Sequence, residues 1–121
     1  IALPILRGVI VKARAADVVG DMNVIKVAVL TYQSDHNAWP GDRNRGVIPP
    51  ELREYLPEGF SFLQDGYTLD YDDWSRNGRS LFNVGITAIT EEEDLGRALL
   101  EMLGENAWTN GRRKFTWVID G

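Results

Sequence analysis

At 121 residues the chain holds one domain's worth of polypeptide, and its four tryptophans, four tyrosines and four phenylalanines give that domain bulk for a core. A net charge of −5 argues against a nucleic-acid-binding surface, because phosphate contacts need a basic one, and the absence of cysteine excludes a disulfide framework and a thiolate metal site. The charge is uneven: residues 1–14 carry Arg7, Lys12 and Arg14 and no acid, which leaves 10 basic against 18 acidic groups, a net −8, for the remainder. Copies stacked with the basic stretch of one beside the acidic part of the next would attract, and a solvated surface with uneven charge explains the pattern equally well.

The first predicted element is one uninterrupted amphipathic helix over residues 5–37. Ala15, Val18, Met22, Ile25, Val29, Tyr32 and His36 follow one another at spacings of 3 and 4, which keeps one apolar stripe facing one partner. Below it, Ile1, Ala2, Leu3, Ile5, Leu6, Val9, Ile10 and Val11 wrap nearly the whole circumference, the pattern of a helix buried on all sides. About 33 residues at 1.5 Å each span roughly 50 Å. A compact chain of this length has a diameter of only about 35 Å. The lower end is therefore expected to protrude, which divides the chain into an apolar helical segment over 1–14 and a globular head over 15–121. Pro4 suits a first turn or a kink, and Gly8 and Gly20 are weak points of up to about 1 kcal/mol each relative to alanine. The apolar run is shorter than the roughly 20 residues that cross a bilayer, so processing or an upstream continuation is expected.

Beyond the helix, Trp39-Pro40-Gly41-Asp42 through Asn44 is turn chemistry, and Pro49 and Pro50 open a short helix over Glu51 to Tyr55. Phe60 to Leu63 and Tyr67 to Tyr71 flank Gln64-Asp65-Gly66 as a hairpin. Phe82, Val84, Ile86 and Ala88 alternate with polar or small residues, the mark of a strand with one buried face. Thr90-Glu91-Glu92-Glu93 reads as a capping box with three acids in the first turn of a second helix. Leu95, Leu99 and Met102 mark its buried face and Gly104 its end. Phe115, Trp117 and Ile119 define a closing strand. The fold class is α+β: a long N-terminal helix packed on a small antiparallel sheet, with a second, short helix near the C-terminus.

Ile1-Ala2-Leu3-Pro4 resembles the end of the hydrophobic segment of type IV pilins and type II secretion pseudopilins, where Ile, Ala and Leu lead into a proline inside the long first helix. The likeness continues through Lys12-Ala13-Arg14-Ala15-Ala16-Asp17, the stripe reaching Tyr32, and the exit at Asn37-Ala38-Trp39-Pro40-Gly41-Asp42. Ile48-Pro49-Pro50-Glu51-Leu52 with Tyr55-Leu56-Pro57 is similar to pilin-like proteins as well. The resemblance covers residues 1–57 and rests on the order and spacing of these pieces. It implies a structural subunit of a pilin-like filament, held in the inner membrane before assembly and periplasmic or extracellular afterwards. Its partners would be copies of itself or related pilins, with no nucleic acid and no small-molecule substrate. Ile1, Leu3, Pro4, Ile5, Leu6, Val9 and Ile10 would form the polymerisation interface, and Val18, Met22, Ile25, Val29 and Tyr32 would pack the helix on the sheet. Major pseudopilins carry an Asp-Pro-Trp-Gly-Asn-like motif beside a calcium loop. Here Glu105-Asn106-Ala107-Trp108-Thr109-Asn110-Gly111 lacks the proline and the leading acid, so neither metal nor cofactor is expected.

Catalytic candidates are poor, and no enzyme is expected. His36, the sole histidine, sits on the buried-side spacing and reads as a packed or hydrogen-bonded core histidine rather than a general base. Ser61, Ser75 and Ser80 lack a nucleophile-elbow context. Asp65, Asp70, Asp72 and Asp73 are the densest oxygen donors but do not match the Asp-x-Asp-x-Asp-Gly calcium loop, and they read as a solvated acidic loop. Glu91, Glu92 and Glu93 are better explained by capping than by ligation, and Trp74 and Trp108 by packing. The alternative reading is a signal-anchored periplasmic domain acting as a monomeric binding or adaptor module. An upstream Gly-aromatic leader with a nearby Glu separates the two.

Overall fold

The computed structural model describes residues 4–74, 84–111 and 113–120. Helix α1 spans Pro4–His36, and a 3-10 helix follows over Pro50–Tyr55. Strands β1 (Leu63–Gln64), β2 (Tyr67–Asp73) and β3 (Val84–Ile89) precede helix α2 (Glu93–Leu103). A 3-10 turn over Gly104–Asn106 then leads to β4 (Ala107–Asn110) and β5 (Lys114–Asp120). The strands form one antiparallel sheet in the order β1-β2-β3-β5-β4. Ile1, Leu3 and Phe82, named above as interface or strand residues, lie outside the described residues.

Helix α1 ends because Asn37 turns left-handed at φ 52° and donates its N–H to the Gln33 carbonyl at 2.8 Å. Asparagine tolerates that conformation better than most residues, and Pro40 blocks any continuation. Ala15, Val18, Met22, Ile25, Ala28 and Val29 are buried, and the stripe they form meets α2, the 3-10 helix and β3. The sheet therefore does not cover the upper helix alone, since α2 lies alongside α1 and shares that face. Below Ala15 the burial ends at once, and Ile5 is 83% exposed, with Leu6, Val9 and Ile10 also exposed.

The hairpin between β1 and β2 closes through Asp65 and Gly66, with Gln64 opposite Tyr67. Gly66 has φ 87°, a left-handed conformation that favours glycine, and a Cβ there would also displace the ends of the Arg14 and Glu92 side chains. Strand β3 departs from the one-faced burial its alternation predicts, since Val84 through Ala88 are all buried. Val84, Ile86 and Ala88 belong to the core. On the other side the Thr87 and Thr116 hydroxyls bond each other at 2.7 Å and the Trp74 ring lies over Gly85, where a Cβ would stand 2.9 Å from it. A central strand with β2 and β5 on either side is covered twice, and its polar residues are satisfied within the sheet.

Helix α2 starts later than the capping box predicts, with Glu92 at the N-cap and no side-chain cap. The Thr90 hydroxyl is used elsewhere: it donates to the Gly66 carbonyl at 2.8 Å and accepts from the Glu92 N–H at 3.1 Å. Met102, expected on the buried face, is exposed, and Leu103 is buried instead, continuing the four-residue series Leu95, Leu99, Leu103. Gly104 ends the helix at φ 61°. Strand β4 is an addition to the expected elements: four largely exposed edge residues that turn into β5 through Gly111, at φ 69°.

Candidate functional site

The outward side of α1 is the most unusual surface of the molecule. Leu6, Val9, Ala13, Ala16, Gly20, Asn23, Val27, Leu30 and Ser34 alternate at spacings of 3 and 4 along the whole helix, and every one of them is exposed. None is charged. Two residues turn an α-helix by about 200°, so Gly20 stands nearly opposite Val18 and this seam runs opposite the buried stripe. A Cβ placed on Gly20 would meet nothing within 4 Å, which leaves the seam shallow and open to a close-packed neighbour. Large exposed apolar residues toward both ends (Leu6, Val9, Val27, Leu30) with small or uncharged polar ones between give an uncharged track of the kind that second helices cover.

A collar fixes the level at which α1 leaves the rest of the chain. Arg14 forks onto Glu92, Nη1 to Oε1 at 2.6 Å and Nη2 to Oε2 at 2.8 Å, the bidentate geometry in which a guanidinium binds a carboxylate best. The hydrogen bond raises Arg14 and lowers Glu92 from their ordinary pKa values. The Tyr67 hydroxyl donates to Asp21 Oδ2 at 2.6 Å, and burial, then that bond, hold its pKa well above the usual phenol value. These contacts join the β1–β2 turn, the start of α2 and α1 at the position where the buried stripe begins.

At the far end of α1, Tyr32 is half-buried and stacks on His36 at 4.3 Å, with Tyr55 edge-on at 5.8 Å. Contrary to a core placement, His36 is exposed because α1 overruns the core by a turn. Its Nε2 lies 3.2 Å from the Tyr55 hydroxyl, which donates to Asp35 Oδ2 at 2.9 Å. That bond, first among the causes, pushes the Tyr55 phenol up to about 12.

The acidic residues read as a loop in the sequence lie mostly in strand β2, where Asp70 and Asp72 share one face and Asp73 takes the other. Asp65 sits in the hairpin turn within the field of Arg14. Among the described residues no group of three acids or histidines is arranged to hold a metal ion. Burial pushes the Asp70 carboxyl up to about 7, helped by Asp72 and Asp42 and opposed by Arg45, and Asp70 Oδ1 is buried without a hydrogen-bond partner among the described residues. Asp72 is raised too, again by burial first, with Lys114 and Arg45 opposing. A carboxyl whose folded pKa exceeds its unfolded value near 4 binds its proton more tightly when folded, so stability rises as pH falls between those values. The head is therefore expected to melt higher at pH 5 than at pH 8, and Asp70→Asn to raise the pH 8 melt by a few degrees and flatten the difference. Thermal scans at both pH values check this, and an unchanged slope in the variant contradicts it.

Two shallow grooves flank α2. One, of about 390 Å³, is lined by Arg7, Lys12, Asp94, Arg97 and Glu101 among others, and the second, of about 350 Å³, lies between α2 and the β4–β5 hairpin. Trp74 packs in the sheet over Gly85, whereas Trp108 is exposed on the edge strand. No described helix is long and apolar enough to cross a membrane.

A long first helix bearing a small antiparallel sheet and a second short helix is the fold of the type IV pilins. Residues 9–67 match the family described as PilW, C-terminal. The structure is similar to that of the major type IV pilin PilA1 from Clostridium difficile, with a TM-score of 0.65 and 20% sequence identity over 94% of this chain and 99% of that one. No curated protein matches the chain.

Proposed function

We propose that the chain is a structural subunit of a helical pilin-like filament and polymerises through α1. The single observation that carries this reading is the uncharged, solvent-facing seam that runs the length of a roughly 50 Å helix, opposite a stripe already filled by the head. A lone soluble domain gains nothing from such a surface, whereas a bundle of like helices buries it in every copy. Residues 1–14 are the projecting segment and residues 15–121 the head. Ile5, Leu6, Val9 and Ile10 lie in the subunit interface, and Val18, Met22, Ile25, Val29 and Tyr32 hold helix to head. The subunit waits in the inner membrane, assembles with copies of itself or related pilins, and ends in a periplasmic or extracellular filament. Its work is mechanical rather than catalytic. The type IV pilin whose fold it shares favours a pilus over a secretion pseudopilus.

Assembly of the full chain viewed by negative-stain microscopy tests the reading, with filaments as the expected result. A chain beginning at Ala15 is expected to sediment as a folded monomer. A truncated chain that still polymerises, or a full chain that forms no filaments, contradicts it.

A further inference from the structure

Strand β1 pairs with only the first two residues of β2, Tyr67 and Thr68, so the rest of that edge of β2 needs another partner. The chain between α1 and the 3-10 helix supplies it. The Gly46 N–H donates to the Leu69 carbonyl at 3.1 Å, and Asp42 Oδ2 accepts from the Asp73 N–H at 3.2 Å. Residues 42–46 thus run antiparallel to β2 as a strap, with the Asp42 side chain standing in for a backbone carbonyl. Gly46 permits the close approach, because at φ 77° a Cβ there would stand 2.8 Å from the Leu63 side chain and 3.4 Å from that of Thr68.

Thr68, Asp70 and Asp72 share one face of β2, so at Gly46 the strap borders the face that bears both carboxyls. The Asp70 carboxyl donates to the Asp72 carboxylate, and Asp70 Oδ1 is buried with no hydrogen-bond partner among the described residues. With a proton on Asp70 the cluster holds two negative charges, Asp72 from the strand and Asp42 from the strap, and loss of that proton makes three. The cations facing them are Arg45 on the strap and Lys114 on β5, while Thr87 and Gly85, opposite on β3, carry no charge. Arg45 is exposed, so solvent screens its attraction. An ionised Asp70 must draw water to its buried oxygen, and the strap is the cover that can lift to admit it, since the Gly46 and Asp42 contacts hold it to the strand.

We infer that the strap over residues 42–46 is a proton-operated clasp, closed on β2 while Asp70 is protonated and lifted when Asp70 ionises. What it controls is the surface at this edge, because Arg43, Arg45 and Val47 are exposed on the strap and beside it. In the closed clasp Asp70 is pushed up to about 7, by burial first and then by Asp72 and Asp42, whereas an open clasp lets it return toward the ordinary value of about 4. The raised value belongs to the closed form. Closure is therefore fully favoured below about pH 4 and weakens by up to about tenfold per pH unit until about pH 7. The clasp is a property of the single chain and does not depend on assembly.

Amide exchange of the full chain at pH 5 and pH 8, followed by NMR and corrected for the base-catalysed intrinsic rate, tests the clasp. Protection of the Gly46 amide is expected to be at least about tenfold greater at pH 5. Its exchange is expected to be insensitive to low urea, the mark of a local opening, whereas the amide of Ile86, fully buried in the central strand, opens only with the whole fold. Asp70→Asn, which keeps a donor for Asp72 but cannot ionise, is expected to leave Gly46 equally protected at both pH values. Asp42→Asn, at an exposed position of the strap, keeps an acceptor for Asp73 and is expected to shrink the pH difference without disturbing the fold. Equal protection of Gly46 at the two pH values in the unmodified chain overturns the clasp. So does a pH difference that persists in Asp70→Asn, or a Gly46 rate that climbs with urea as steeply as that of Ile86.

Discussion

Val9→Glu is expected to abolish filaments while leaving the thermal unfolding of the isolated chain unchanged. Val9 is exposed in the single molecule, so a carboxylate there is solvated and costs the fold nothing that a melt would detect. In a bundle of α1 helices the same carboxylate loses its water with no cation placed to meet it, at several kilocalories per mole in every copy. Arg7 and Lys12 are the nearest cations in sequence, and both line the groove toward α2. Microscopy and a circular dichroism melt on the same preparation read the two halves of the expectation. Assembly at the efficiency of the unmodified chain would show that the lower seam lies outside the subunit contact and would favour the anchored monomer.

Ile25→Ala is expected to do the reverse, destabilising the head by about 2–5 kcal/mol because the side chain is fully buried in the core. At roughly 4 °C per kcal/mol for a domain near this size, the melt falls by about 8–20 °C. Val27→Ala is the matched control, two residues along the same helix on the exposed seam, and its effect is expected to stay within about 0.5 kcal/mol. Comparable losses in the two variants would mean that the helix does not divide into a buried and an open face as drawn.

The long helix, the hairpin and the second helix were legible because each is written in a local period: 3.6 along α1, 2 along β2 and β5, and Asp-Gly between two strand-forming runs. The open seam obeys the same 3-4 rule as the buried stripe, yet Ala13, Ala16, Gly20, Asn23 and Ser34 carry too little hydrophobicity to stand out. The signal that could have found it was the absence of charge at every seam position. The second covered face of β3 was hidden for a different reason. Gly85 and Thr87 read as solvent-facing, and only the fold brings Trp74 over one and Thr116 to the other. The start of α2 was misjudged because Glu92 is claimed by Arg14, a residue 78 positions away that no local capping rule can see. Strand β4 has four residues and no alternation of its own, and it exists because β5 offers it a ladder.

The collar at Arg14 has a mechanical consequence. A pull along the axis of α1 enters the head where Arg14 is forked onto Glu92, and the buried side chains above that point, from Ala15 to Val29, lie in line with the pull. Loaded this way they are sheared together, each bearing part of the tension, whereas a sideways pull would peel them off one turn at a time. The same interactions are expected to hold the helix less well against bending away from the head than against being drawn out lengthwise, the direction in which the proposed filament, when stretched, would load it.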